Sequence, residues 1–251
     1  MGEFGRAAAA DAVVTSAPNA TANTEDFEFT ALSKAVNYRA AVLREFEPWL
    51  KGDILEIGAG IGQFTGPLAR LGGVGKVTAL EPERRFCAEF SRLNPGIALV
   101  EGTIDDMSAG TDWDAMLSIN VLEHIERDEE ELAKYAKKLT ARRGHLCLFV
   151  PARPELHAPI DREFGHFRRY EKPELKGKLE RAGFEVVRLE YFNFVGYFAW
   201  WLSFCVMKRH HFSSASVELF DRLIFPAAHA FERKVVRPPF GQSLLAVVRA
   251  A

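Results

Sequence analysis

The amino-acid sequence predicts an α/β fold: a doubly wound, mostly parallel sheet of seven strands, with a helical apolar insertion before the last. Three observations predict it. Strand-like apolar runs alternate with amphipathic helical stretches from residue 53 to residue 192, as in a succession of βαβ units. The first run, Ile54 to Ile57, feeds straight into glycines at 58, 60 and 62. There the chain can turn sharply, and a ligand can approach backbone that carries no Cβ. The run Ala115 to Ile119 is almost wholly apolar, as a parallel strand covered on both faces should be.

Each element follows from local signals. Residues 1–26, rich in Ala, Thr, Asn and Ser, read as a flexible tail ahead of a single domain at 27–251. Ala41, Leu43, Phe46 and Leu50 mark a helix within 27–50, closed by Gly52. Strand one is 53–57, and a helix is expected over 63–71, with Pro67 tolerable near its first turn. Gly72, Gly73 and Gly75 break the chain before strand two at 76–80, and Pro82 opens a helix to Leu93. Asn94-Pro95-Gly96 is a turn into strand three, 97–100, and strand four is 115–119. The helix 128–140 carries four acidic residues at its start and lysines toward its end, matching the helix dipole. Strand five spans 145–150, a helix starts at Pro173 and stops at Gly183, strand six spans 184–192 and strand seven 243–249. Between the last two lies the insertion, 194–240. It opens with fourteen nearly apolar residues, Phe194 to Met207, too few for a bilayer span of about 20. A more amphipathic stretch, 217–236, is interrupted by Pro226.

Composition narrows the function classes. Of 251 residues, 48% are hydrophobic and 26% charged, ordinary for a soluble protein with a sizeable core. The net charge of -2 gives no electrostatic reason to expect nucleic acid as a partner. Cys87, Cys147 and Cys205 are scattered, which fits a reducing, cytoplasmic setting. The short Ala7 to Ala10 run, broken by Asp11, is not an export signal.

Glu81 lies about twenty residues past Gly60, where a carboxylate can accept from both hydroxyls of a ribose; a solvated first-turn glutamate is the alternative. Ile104 and Asp105 can sandwich an adenine and accept from its amine, or Asp105 can cap a helix. The loop 151–170 gathers His157, Asp161, His166, Arg168, Arg169 and Tyr170 beyond the end of strand five, where ligands bind in such sheets. His157 or His166 is a candidate general base with Asp161 as its orienting partner. Arg168 and Arg169, with Tyr170, are candidate substrate contacts, the arginines suited to a phosphate or carboxylate. The plainer alternative is a salt-bridged loop with packed histidines. The His157-x3-Asp161-x4-His166 spacing is loose for a metal, and none is expected.

At Ser118 to Ile125 the chain resembles a family, the class I S-adenosylmethionine-dependent methyltransferases. ILEIGAGIGQFT, ALEPE, EGTIDDM and SINVLEHI are similar to its successive motifs, in order. The likeness covers about residues 36–193 and the final strand. It implies a Rossmann-like sheet with an antiparallel last strand, and S-adenosylmethionine as cofactor. Glu56, Gly58, Ala59 and Gly60 would line the methionine end, Glu81 with Pro82 the ribose, and Ile104 with Asp105 the adenine. Asn120, Val121 and Leu122 would sit beside the sulfonium, with Tyr38 closing over it. Glu123-His124 more often caps a helix in such sequences. NVLEHI resembles the branch acting on small molecules, quinones and lipids, so the expected acceptor is small and hydrophobic, on O, N or C. The run 194–207 would then be a peripheral membrane contact, a dimer interface, or packing on its own sheet. The alternatives are a non-catalytic cofactor-binding scaffold and a nicotinamide-dependent oxidoreductase.

Overall fold

The structure, a computed structural model, describes residues 33–108, 110–209, 213–234 and 238–251. The tail expected over 1–26 lies outside the described residues. Seven strands form one sheet: β1 (Gly52–Ile57), β2 (Val74–Glu81), β3 (Ala98–Glu101), β4 (Ala115–Ile119), β5 (His145–Pro151), β6 (Phe184–Phe192) and β7 (Ser243–Ala250). Their order is β3-β2-β1-β4-β5-β7-β6. All pairs are parallel except those of β7, which runs antiparallel between β5 and β6.

Alternate residues of each central strand feed opposite cores, because successive side chains of a strand point to opposite faces. Leu55, Met116, Leu146, Leu148, Leu244 and Ala246 pack on one side with Leu132, Tyr135 and Leu139 of helix α4 (Asp128–Leu139) and Leu175 and Leu179 of α6 (Lys172–Arg181). Ile54, Leu117, Cys147, Phe149, Leu245 and Val247 pack on the other with Ala41, Val42, Leu43 and Phe46 of α1 (Val36–Phe46). A continuous apolar strand such as β4 is therefore required by the topology.

The helix expected over 63–71 is only a four-residue α2, Thr65–Leu68. Gly60 and Gly62 keep positive φ values of 56° and 84°, so the chain is still turning where the helix was to begin. Helix α3 spans Arg84–Leu93, and a short α5, Pro159–Glu163, lies in the loop after β5. The insertion is two helical stretches. α7 (Phe194–Trp200) continues as a π-helix through Val206, and α8 (Ser214–Leu219) runs through a π-turn at Phe220–Ile224 into α9 (Phe225–Lys234). Pro226 lies two residues past that π-turn, with the residue four before it, Arg222, inside the turn. Proline cannot donate to the preceding turn and crowds its carbonyl, and the wider turn accommodates both. Among the described residues, no helix is long and apolar enough to cross a membrane.

Candidate active site

The turn after β1 is built by close approach. Gly58 takes φ +64°, and a Cβ there would lie 2.4 Å from Cγ2 of Val121. Glycine is thus required twice over, by the backbone conformation and by the side chain leaving β4. The contact sets Asn120, itself left-handed at φ 52°, beside the turn. A non-glycine residue held in that region marks a site where surroundings override local preference.

Two buried carboxylates flank the turn. Glu81, at the end of β2, accepts from the Gly60 N–H at 2.7 Å and the Glu83 N–H at 2.9 Å, one through each oxygen. A second lone pair on each oxygen leaves room for a ligand's hydroxyls. Burial raises its pKa, opposed by those two N–H groups. Glu56 is 4% exposed. Burial pushes it up to about 8, the Thr65 hydroxyl opposing and the charge of Glu81 adding. Its Oε2 has no hydrogen-bond partner among the described residues. Ala59 is buried in the turn and Pro82 is exposed beside it.

Ile104 is buried, whereas Asp105 is exposed and paired with Lys134 at 2.6 Å. Asp105 is not the helix cap. That position is Thr103, whose N–H donates to Asp106 at 2.7 Å.

A cavity of about 330 Å³ opens at the carboxyl ends of the parallel strands. Asn120, Glu123, Pro151, His166, Arg169 and Ser243 form one side; Trp200, Val217, Phe220 and Phe225 of the insertion roof it, and Tyr38 and Phe164 complete the wall. Asn120 is the residue where cavity and glycine turn meet. Tyr38 packs edge-on against Phe149 and Phe192, and burial raises its hydroxyl despite the Ser243 hydroxyl beside it. Asp221 of the π-turn accepts from the backbone N–H groups of Asn37 and Tyr38 at 2.9 and 2.8 Å. The roof therefore caps the helix that carries Tyr38.

The loop 151–170 divides into residues that face the cavity and residues that fasten the loop. Asp161 is fully buried and receives Nδ1 of His166 at 3.1 Å, Nε of Arg169 at 2.8 Å and the Ala158 N–H at 2.8 Å. Burial alone would raise its pKa, but His166 and Arg169 hold it below the ordinary carboxylate value. Arg169 also lies over the Trp200 ring, 4.4 Å from its centroid. His166 stands edge-on to His124, ring centroids 4.7 Å apart. Burial, with His166 adjacent, pushes His124 down to about 3, so it is neutral at pH 7.

His157, Arg168 and Tyr170 do not line the cavity. Arg168 pairs with Asp128 at 2.9 Å; the fully buried Tyr170 donates to the same carboxylate at 2.9 Å, and Lys178 reaches it at 2.6 Å. These contacts fasten the loop to α4 and α6. Leu122 is buried in the core, and Val121 packs on Gly58. The sequence reading missed Asn193, Trp200, Gln242 and Ser243 as cavity residues and set Glu123 aside as a cap. Asn193 had a visible signal, an N-cap residue before an apolar run; its side chain accepts from Gly196 N–H at 3.0 Å.

Similar architecture occurs in solved structures. A TehB-like S-adenosylmethionine-dependent methyltransferase from Corynebacterium glutamicum is 18% identical, with 85% of this chain and 87% of that one covered at a TM-score of 0.51. For a methyltransferase from Archaeoglobus fulgidus the values are 18%, 86%, 94% and 0.55. For the N-methyltransferase NodS from Bradyrhizobium japonicum, in complex with S-adenosylhomocysteine, they are 16%, 85%, 85% and 0.54. At these identities the likeness speaks to the fold. No curated protein matches the chain. The family model described as a methyltransferase domain matches residues 27–189, and neither the oxidoreductase nor the scaffold alternative is favoured. The chain belongs to the methyltransferase-domain family and is an S-adenosylmethionine-dependent methyltransferase.

Proposed function

We propose that this enzyme methylates a small hydrophobic acceptor lodged beneath the insertion, as the small-molecule and lipid branch of the family does. The observation that carries the reading is the cavity itself. Its volume suits a small organic ligand, its roof carries Trp200, Phe220 and Phe225, and Asn120, beside the glycine turn, lines it together with Glu123, His166 and Arg169. The cofactor fits the turn on this structure's own evidence. Glu81 keeps acceptor capacity at the ribose position, and Glu56 holds a buried oxygen in want of a donor, which an ammonium would supply. When bound, that cofactor supplies an activated methyl group on a positive sulfur; alignment of the acceptor is the protein's part.

His166, held by Asp161, is our candidate base, and Arg169 the candidate contact for an anionic group on the acceptor. Arg168 and Tyr170 serve the loop's position instead, and His157 lies outside the cavity lining. We place the enzyme in the cytoplasm, where free thiols such as Cys87, Cys147 and Cys205 persist. Its acceptor would arrive from a lipid surface touching Phe198, Trp201, Leu202, Val206 and Met207, all exposed on the first insertion helix and the residue after it. The test is transfer of isotopically labelled methyl into a fractionated cell extract. Label in organic-soluble small molecules is the expected result. Label confined to protein, nucleic acid or the aqueous fraction would overturn the acceptor class.

A further inference from the structure

We propose that Glu123, His124 and His166 bind a divalent transition-metal ion at the cavity floor. One potential ligand atom from each lies within 4.8 Å of the other two. The set comes from two segments, the turn leaving β4 and the loop after α5, tied together by the Phe167 N–H donating to the Glu123 carbonyl at 2.8 Å. Glu123 is fully buried and His166 is 9% exposed, yet both line the cavity. The ligands are thus withdrawn from bulk water while one side of the ion would face the acceptor.

The support around His166 is what a metal-bound imidazole requires. Its Nδ1 is engaged by Asp161, which leaves Nε2 as the ligand atom, a role that replaces the proposed base function of His166 whenever the ion is bound; such a carboxylate–histidine pair fixes the ring and raises its basicity. Asp161 is in turn immobilised by Arg169 and the Ala158 N–H. Donors about 2.1 Å from a tetrahedral ion lie about 3.4 Å apart, so the set, within 4.8 Å as it stands, closes with side-chain movements of up to about 1.4 Å. Two imidazoles and a carboxylate select a transition metal over magnesium or calcium. Three protein ligands leave a coordination position open. The ion site stands on these residues alone; that the open position receives an oxygen of the acceptor rests on the proposed role of the cavity.

Cobalt(II) added to the intact, chelator-stripped protein tests the site. The expected result is one ion per chain, with ligand-field absorption and paramagnetically shifted resonances from two histidines. His124→Gln and His166→Gln should each weaken binding at least tenfold, and Asp161→Asn about 10–100-fold, while His157→Gln leaves it unchanged. Binding without two shifted histidines in the wild type overturns the proposal whether or not the variants fold; so does unaltered affinity in both histidine variants. S-adenosylhomocysteine binding measured on the same samples reports separately on the cofactor turn, so failure of one assignment is distinguishable from failure of the other.

Discussion

Glu56 is the residue where burial and function conflict most openly. In the unfolded chain it ionises near the ordinary glutamate value, whereas in the fold burial moves it up to about 8. Between those values the folded state holds a proton that the unfolded state has released, so stability falls as pH rises from about 4.5 to 8. Glu81, also raised by burial, acts in the same direction. Glu56→Gln should remove most of the decline and leave the protein more stable than wild type at pH 8, by an amount of order a few kcal/mol. Urea unfolding at pH 5 and pH 8 measures it, and an unchanged difference between the two would rule out the assignment. Cofactor binding is expected to expel the Glu56 proton at pH 7. That is visible as a buffer-dependent binding enthalpy in the wild type and absent in the variant. The resemblance placed Glu56 near the cofactor; its protonation follows only from the strands that bury it.

At the scale of elements, the roof of the cavity is held to α1 by carboxylates whose partners lie far away in sequence. Asp221 caps α1 across 184 positions. Glu45 of α1, equally buried, meets Arg188 of β6 at 2.8 Å and pairs with Arg233 of α9. Asp221→Ala leaves two helix N–H groups without that acceptor, and should cost about 1–3 kcal/mol. It should also loosen the wall that carries Tyr38, raising KM for the acceptor more than it lowers S-adenosylhomocysteine affinity. Thermal unfolding with acceptor kinetics is the check, and equal losses in both would show that α1 serves the cofactor as much as the acceptor. Neither carboxylate was legible beforehand. Helical periodicity tells which face of α1 is apolar, but not that Asp221, in an amphipathic stretch, would turn inward to meet its backbone. The short α2 has a similar origin, since glycine φ values are set by what packs on the turn, Val121 included, rather than by helix propensity.

For the whole molecule, the insertion divides the surface into an inner aromatic roof and an outer face exposing Trp201, Leu202, Leu219, Leu223 and Phe231. If that outer face meets lipid, Trp201→Ser with Leu202→Ser should reduce binding to anionic vesicles several-fold while leaving thermal stability near wild type. Sedimentation with vesicles tests it, and loss of a dimer without loss of vesicle binding would assign the face to self-association instead. The sequence by itself determined the seven strands, the longer helices between them, the glycine turn and the order of the cofactor motifs. Those signals are local: apolar period, punctuating Gly and Pro, and spacing along one strand–turn–helix unit. Only the tertiary structure decided that Arg168 and Tyr170 fasten the loop to Asp128 while His166 and Arg169 face the cavity. It alone brought Glu123 and His124 beside His166 and laid the insertion over the cavity. A loop's residue types do not encode which side of it is covered; that depends on partners tens of residues away, and on which buried charges must find one another to avoid being left unpaired.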